Sequence, residues 1–325
     1  MEKFELTFKE GMTFSVVETL LEKIGGNLIN ENQYRYKKGR SKIEFDFFNF
    51  WNGFEVILID YYNPVDANID RIPDGEPDLI HINMIIKGEV VQLFNNKEKV
   101  LKSDSAKSVI IHNGLFPIDA YVPADKHYQS VGVRITKQVF KGIMPEIYHE
   151  IEKMFPNDDG IGYHTPLPVE LITLLEQMFL YKTNLKLKTP YLLSRGIEVL
   201  AILIEYVISL IHKDELKGLH SSDYQRLLQI RQKLVTNFDQ KISLNEIAEE
   251  FGVSTSKLKR DFKTLFDTNI TQYRIQAKME EAYKRLKSGK YSVLEVSIDL
   301  GYETPSKFST MFKKIKGVSP KDIIP

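Results

Sequence analysis

Cysteine is absent from this chain of 325 residues, and its apolar residues form no long uninterrupted run. The lack of cysteine excludes disulfides, thiolate metal sites and cysteine nucleophiles, and it is typical of a reducing cytoplasm. The longest apolar run, residues 196–211, contains Glu198 and Glu205 and is too short and too charged to span a bilayer. The first residues, MEKFELTFKEGM, lack the apolar segment of a secretory signal. We therefore expect a cytoplasmic protein without a membrane partner.

The signature motifs of common enzymes are also missing. The sequence contains no nucleophile elbow, P-loop or glycine-rich dinucleotide fingerprint. Three histidines, His81, His112 and His127, are scattered in the sequence, and Asn83 stands where a second histidine ligand would be expected after His81. We therefore expect no catalytic residue, no cofactor and no metal site, and we interpret these histidines as surface or hydrogen-bonded side chains.

The net charge is zero overall but is unevenly distributed along the chain. Residues 222–325 contain 19 Lys and Arg against 13 Asp and Glu, a net charge of +6. The remainder contains 25 basic and 31 acidic residues, a net charge of −6. A basic third joined to acidic two-thirds is typical of a nucleic-acid-binding domain fused to a domain that does not bind nucleic acid.

The basic third contains one short pattern twice. SLNEIAEEFGVSTSKLKRDF begins at Ser243, and SVLEVSIDLGYETPSKFSTMF begins at Ser292. In each copy the serine is followed three residues later by glutamate, which predicts a capping box at the start of a helix. Gly252 and Gly301 then suit the left-handed conformation that ends a helix, and a second capped helix follows each of them. Each copy therefore predicts a helix-turn-helix.

The outward face of each second helix is cationic and rich in hydroxyl groups. Such a face suits the major groove, where Lys and Arg donate to guanine while hydroxyls and helix N-termini hold phosphates. The alternative is a solvated surface without a partner, which two copies with shared caps and turns disfavour. We expect DNA contacts from Ser254, Thr255, Ser256, Lys257, Lys259, Arg260 and Lys263 in the first copy, and from Thr304, Ser306, Lys307, Thr310 and Lys313 in the second.

Residues 243–320 resemble the DNA-binding domain of the AraC/XylS family of bacterial transcription regulators. The segment GYETPSKFSTMFKKIKGVSP is similar to the family signature, in which Gly-Tyr or Gly-Phe and a polar run precede Phe-Ser-Arg-x-Phe-Lys and Gly-x-x-Pro. The resemblance implies two helix-turn-helix units joined by a long helix, here residues 271–286, and a contact with RNA polymerase if the protein is an activator. Thr310 stands where the family has Arg, so the second unit reads bases weakly or relies on Lys307 and phosphate contacts.

The first 136 residues have the pattern of many short strands, which predicts a β-barrel or sandwich. The resemblance implies a cupin-like β-barrel or jelly roll with a sensing role, because AraC-like proteins often carry one ahead of the DNA-binding domain. Residues 12–24 are expected to form an additional helix. The predicted strands are residues 43–48, 54–62, 79–86, 89–94, 107–111 and 128–135.

In residues 137–215 the apolar residues recur with a helical period. This spacing predicts amphipathic helices whose apolar faces pack against another part of the protein or a second copy of it. The resemblance implies a dimerisation region, and the alternative is packing against the barrel. The expected fold is therefore α+β and multidomain. It comprises a cupin-like sensing domain over residues 1–136, a helical region over 137–215 and an all-α double helix-turn-helix domain over 222–325.

A small-molecule pocket is the expected function of the first domain, since barrel mouths are frequent ligand sites. The alternative is that its aromatic residues only form the core. We predict a ligand-responsive regulator that binds promoter DNA as a homodimer. The other hypotheses are a regulator whose first domain serves only dimerisation or protein contacts, and a cupin-like enzyme or carbohydrate binder. The candidate effector contacts are Arg35, Phe47, Trp51, Tyr61 and Arg134.

Overall fold

The computed structural model describes residues 4–94, 97–102, 108–184, 186–213, 215–216, 218–236, 238–239, 243–266 and 268–324. It divides the chain into two compact units, Met1–Ser222 and Asp223–Pro325. Within the described ranges, no helix combines the length and the apolar character needed to cross a membrane.

The first unit is rich in β-structure. Its strands are β1 (Phe4–Lys9), β2 (Asn27–Leu28), β3 (Gln33–Lys38), β4 (Ser41–Trp51), β5 (Phe54–Asn63), β6 (Ala67–Ile72), β7 (Leu79–Lys87), β8 (Glu89–Phe94), β9 (Lys97–Lys102), β10 (Val109–Asn113), β11 (Ile118–Val122), β12 (Lys126–Thr136), β13 (Ile161–Thr165) and β14 (Leu219–His220). One sheet has the order β1-β6-β11-β8-β9, and the other has the order β14-β13-β10-β7-β12-β5-β4-β3-β2. The strand predicted at 107–111 corresponds to β10, although Lys107 itself lies outside the described residues.

The larger sheet is buried on both faces along much of its length. Alternate side chains of a strand point to opposite faces, so Ile57 of β5 joins a core shared with the smaller sheet, whereas Val56 and Leu58 join a second core. Burial on both faces explains why β5 is a nearly continuous apolar run. The two sheets therefore lie on either side of one apolar layer, and their closure into a cupin-like barrel stays a prediction.

Most helices of the first unit cover the other face of the larger sheet, namely α2 (Lys137–Ile143), α3 (Tyr148–Met154), α4 (Val169–Asn184) and α5 (Lys188–His212). Helix α1 (Thr13–Ile24) instead packs into the core shared with the smaller sheet. The inner stripe of α5, including Val199, Leu203 and Val207, is buried in the same core as strand residues. A Cβ atom on Gly196 would lie 2.8 Å from the Val56 side chain, so glycine permits the close approach of α5 to β5. The buried face of α5 thus packs against the sheet, which was the alternative to dimerisation.

The second unit is helical throughout its described residues. Its α-helices are α6 (Ser221–Thr236), α7 (Leu244–Glu250), α8 (Thr255–Phe266), α9 (Ile270–Lys287), α10 (Val293–Asp299) and α11 (Pro305–Lys316). Phe308 and Phe312 of α11 pack with Met279 and Leu286 of α9 in one apolar core. The expected combination of a sheet-rich N-terminal domain and a helical C-terminal domain is confirmed.

Candidate functional site

Both helix-turn-helix units begin with the predicted capping box. The Ser243 hydroxyl accepts from the Glu246 amide at 3.1 Å, and the Glu246 carboxylate accepts from the Ser243 amide at 2.9 Å. Ser292 and Glu295 make the same two bonds at 3.2 and 2.7 Å. These backbone hydrogen bonds lower the pKa of each glutamate, so both caps are charged at neutral pH. The starts of α7 and α10 were therefore predictable from three-residue spacing alone.

The turn glycines have the expected conformation but different surroundings. Gly252 has φ of +62° and Gly301 has φ of +71°, a region that glycine enters without steric cost. A Cβ atom on Gly252 would meet nothing within 4 Å. A Cβ atom on Gly301 would lie 2.9 Å from the carbonyl oxygens of Phe238 and Asp239. The second turn is packed against neighbouring backbone, whereas the first is open.

The second helix of each unit turns its apolar residues inward and its polar residues outward. Ser254 and Thr304 cap α8 and α11 by accepting from amides at 3.2 and 3.3 Å. Thr255 and Lys257 are half-buried. The exposed positions among the predicted DNA contacts are Ser254, Ser256, Lys259, Arg260, Lys263, Thr304, Ser306, Lys307, Thr310 and Lys313.

The half-buried Lys257 is paired with two carboxylates. Its Nζ lies 2.6 Å from Asp223 of α6 and 2.8 Å from Asp261, one turn further along α8. Although partial burial acts to lower it, these carboxylates raise the pKa of Lys257 above its usual value. Asp223 is 34 residues distant in sequence, so no local pattern could have revealed this pairing. The arrangement leaves Lys257 less available to DNA than its neighbours.

The remaining cations of α8 are more accessible. The Arg260 Nε lies 2.9 Å from Asp261, and the side chain is 48% exposed. In the described part of the chain, no carboxylate lies within ion-pair distance of Lys259 or Lys263. On α11, Lys307 pairs with Glu303 and Lys313 is exposed. Both helices therefore present positive charge to solvent.

The connecting helix α9 is anchored to α6 and to the second helix-turn-helix unit through side chains that no sequence pattern indicated. The buried Arg231 of α6 donates from Nε to the Tyr273 hydroxyl at 2.5 Å. Lys278 donates to the Leu300 carbonyl at the end of α10 at 2.6 Å. Burial, together with the nearby Arg274 guanidinium, lowers the pKa of Lys278 to about 8. These bonds fix α9 to α6 and to the second turn.

The first unit contains an apolar cavity of about 90 Å³ between its two sheets. Tyr61 and Arg134, two of the predicted effector contacts, line it. Burial raises the pKa of Tyr61 to about 12, so its hydroxyl stays protonated. The lining residues that the sequence did not indicate include Leu6, Thr13, Ile69, Arg71, Val90 and Tyr128.

The other three predicted effector residues lie elsewhere. Arg35 forms an ion pair with Asp46 at 2.6 Å and donates to backbone carbonyls. Phe47 is buried in the apolar core. Trp51 is 44% exposed and its ring stacks on Phe54. These three side chains do not line the cavity, and their role as effector contacts stays a prediction.

The histidines are not scattered as the sequence suggested. His81 and His112 are buried side by side, with ring centroids 4.9 Å apart, next to the buried Glu10. His127 lies apart and contacts Asp60 at 3.0 Å. Burial lowers the pKa of His112 to about 4. For Glu10, burial acts to raise the pKa, but His81, His112 and two arginines lower it to about 2.

Comparison with known proteins gives matches to helix-turn-helix proteins. A family model described as a helix-turn-helix domain matches residues 247–324. The transcriptional activator RhaS of Mannheimia succiniciproducens is 28% identical over 90 residues, which cover 28% of this chain and 34% of that protein. The matched part thus spans about a third of the length of such curated relatives.

Two solved structures are also similar. The C-terminal domain of AraT, a response regulator from Geobacillus stearothermophilus, is 31% identical in sequence. The match covers 30% of this chain and 82% of the AraT chain, with a TM-score of 0.29. ToxT from Vibrio cholerae is 12% identical and covers 83% of this chain and 97% of that chain, with a TM-score of 0.32.

Proposed function

We propose that the chain is a sequence-specific DNA-binding transcription regulator of the AraC/XylS family, which acts through its C-terminal double helix-turn-helix domain. The observation that carries this proposal is the repetition of one capped and turned unit, each copy with an exposed cationic second helix. Two such helices suit successive major grooves on one face of DNA, roughly 34 Å apart. Its curated relatives are named transcription regulators, which favours this function over an enzymatic one.

Within each helix-turn-helix unit we assign some residues to base contacts and others to phosphate contacts. Ser256, Lys259 and Arg260 of α8 contact base edges, since they are exposed and close to the N-terminal part of the helix. Lys263 lies one turn later and contacts phosphate. Lys257 acts mainly as a structural residue, because two carboxylates already surround its ammonium group.

The second helix-turn-helix unit carries fewer groups that can read bases. Ser306, Lys307 and Thr310 occupy the exposed face of α11, and Lys313 contacts phosphate. The Thr310 hydroxyl donates to the Ser306 carbonyl at 3.0 Å, so its hydrogen is already used within the helix. We therefore assign the larger share of base discrimination to α8 and a larger share of phosphate binding to α11.

The first domain senses a small and largely apolar effector in the cavity between its sheets. The lining is mostly aliphatic and aromatic, with Arg71 and Arg134 as polar groups that would orient a ligand. Both guanidiniums face carboxylates, since Arg71 contacts Glu10 and the Glu55 charge acts on Arg134. This charge balance favours an effector whose affinity comes from apolar contact.

Dimer formation and a contact with RNA polymerase complete the proposed function. Large apolar side chains stay exposed on α4 and just before α5, with Val169 72%, Ile172 39% and Leu187 66% accessible. An isologous helix pair would cover such residues. A concentration-dependent mass in sedimentation that Ile172→Asp abolishes would support this interface, and a monomer at all concentrations would contradict it. RNA polymerase would be a partner only for an activator.

The first experiment is a titration of the full-length protein against DNA from upstream of its own gene, with competitor DNA and at several salt concentrations. We expect saturable binding that survives competitor. Binding that weakens equally for all sequences, including fragments selected from random DNA, would contradict sequence-specific regulation. A ligand that fills the cavity should change the DNA affinity, whereas an affinity that no ligand shifts would favour a regulator without an effector.

A further inference from the structure

Three buried side chains from two facing sheets converge on one point. His81 of β7 and His112 of β10 are directly opposite each other in an antiparallel pair, so both point to the same face. Their rings are stacked, with an interplanar angle of 7°. Glu10, which follows β1, approaches from the other sheet. All three side chains are at most 4% exposed.

The hydrogen bonds of the two imidazoles determine which nitrogen is left for another partner. His81 Nε2 lies 2.8 Å from the Asp74 carboxylate, and His112 Nδ1 lies 2.9 Å from the Asn113 carbonyl oxygen. Carboxylate and carbonyl oxygens only accept, so each of these nitrogens carries its proton. In the neutral form of each ring, the second nitrogen therefore presents a lone pair.

Both lone pairs face the Glu10 carboxylate. His81 Nδ1 is 3.7 Å from Glu10 Oε1, and His112 Nε2 is 3.8 Å from Glu10 Oε2. These separations exceed the length of a direct hydrogen bond, which is about 2.7–3.2 Å for nitrogen to oxygen. Among the described residues, His81 Nδ1 has no hydrogen-bond partner. A buried polar atom without a protein partner needs an explanation, and a bound ion is one.

We propose that Glu10, His81 and His112 bind one divalent first-row transition-metal ion. Two imidazoles and a carboxylate are the donor set of zinc and iron(II) sites with three protein ligands, which leave coordination positions open for water. The three ligand atoms lie within 4.8 Å of one another. Metal–ligand bonds of about 2.0–2.1 Å place two ligands of one ion roughly 3–4 Å apart, which matches the gaps at Glu10.

The surrounding residues fit this assignment. Asp74 accepts a hydrogen bond from the outer nitrogen of His81, as carboxylates do behind metal-bound histidines, and the Asn113 carbonyl accepts one from His112. Arg71 lies 3.4 Å from Glu10 Oε1 and also lines the apolar cavity, so the ion would lie beside the Arg71 end of that cavity. The ion would link the two sheets where Glu10 enters the unit.

The test is a titration of chelator-treated full-length protein with Co²⁺, followed by visible absorption and by displacement with Zn²⁺. Wild-type protein should bind one ion per chain at this site. Glu10→Gln and His112→Gln should lose that binding, and Asp74→Asn should weaken it about 10–100-fold. His127→Gln is the matched control and should bind as wild type does, because His127 lies apart with Asp60.

Fluorescence of the single tryptophan, Trp51, and helical ellipticity show whether each variant is folded. If a ligand variant does not fold, the wild-type protein still tests the proposal, because Zn²⁺ should raise its melting temperature and Mg²⁺ should not. Failure of the wild-type protein to bind Co²⁺ or Zn²⁺ would overturn the proposal. So would binding by folded Glu10→Gln and His112→Gln variants that equals the wild type.

Discussion

The two helix-turn-helix units share their local sequence features but differ in what surrounds them. Both begin with a Ser and Glu capping box, turn at a glycine with positive φ, and bury phenylalanines of the second helix. Around the first, Lys257 is held by Asp223 and Asp261. Around the second, Gly301 lies against backbone carbonyls. The repeat determines the backbone of each unit, whereas residues outside the repeat decide how firmly each is held.

Truncation of the core phenylalanines tests whether the two units are equally well packed. Phe262 and Phe312 are both fully buried. We expect Phe262→Ala and Phe312→Ala each to cost about 3–5 kcal/mol of unfolding free energy in urea denaturation followed by ellipticity. Lys259→Ala, at an exposed position of α8, is the control and should change little. A cost below about 1 kcal/mol for either truncation would show that its unit is loosely packed.

Alanine at the turn glycines separates conformation from packing. Gly252→Ala should cost about 1–2 kcal/mol, because a Cβ atom is disfavoured at positive φ. Gly301→Ala should cost about 1–3 kcal/mol more, because the added atom also meets the carbonyls of Phe238 and Asp239. Denaturation of both variants side by side measures the difference. Equal losses would mean that the second turn is no more constrained than the first.

Base discrimination should differ between α8 and α11. Arg260→Ala should lose about 1–3 kcal/mol of discrimination at particular base pairs, measured by binding to a set of single-substituted sites. Thr310→Val keeps the shape of the side chain and removes a hydroxyl that already donates to the Ser306 carbonyl. The loss of base discrimination should therefore be at most about 0.5–1.5 kcal/mol. Uniform weakening on all sites by Arg260→Ala would overturn its assignment as a base reader.

Loss of a single phosphate contact should give the smallest effect at moderate salt, and removal of one lysine should have the same effect in either helix-turn-helix unit. Lys263→Ala and Lys313→Ala should each reduce the slope of log affinity against log salt by about 0.9 and weaken all sequences alike. Lys257→Ala offers a comparison from within α8. Since its ammonium is already paired with carboxylates, the salt slope should change less than with Lys263→Ala. A larger decrease in the salt slope for Lys257→Ala than for Lys263→Ala would instead indicate that Lys257 contacts DNA phosphate.

Strands with strong apolar patterns were predictable, and weakly patterned strands were not. The pattern over residues 54–62 indicated β5 to within one residue. In contrast, β6 reads ANIDRI and β13 reads IGYHT, and neither alternates clearly between apolar and polar residues. Strand β6 is stabilised by pairing with β1 and β11. The paired residues are separated in sequence by 63 positions for β1 and by about 50 positions for β11. Its existence depends on those partners rather than on its own sequence.

The candidate sites divide in the same way. Exposure of the cationic faces of α8 and α11 followed from helical periodicity, since the buried phenylalanines dictate which side faces solvent. Helical periodicity did not indicate the carboxylates that pair with Lys257 or the residues that line the cavity. It also did not indicate that Glu10 lies next to His81 and His112. Each of these depends on which strands or helices become neighbours.

The sequence by itself determined the double helix-turn-helix, because caps, glycine turns and apolar stripes act over only three or four residues. It also determined the charge difference between the basic third and the rest of the chain. Only the tertiary structure decided that Tyr61 and Arg134 share a cavity and that His81 lies against His112. The physical reason is that strand pairing joins residues tens of positions apart, and the packing of whole sheets selects the pairs.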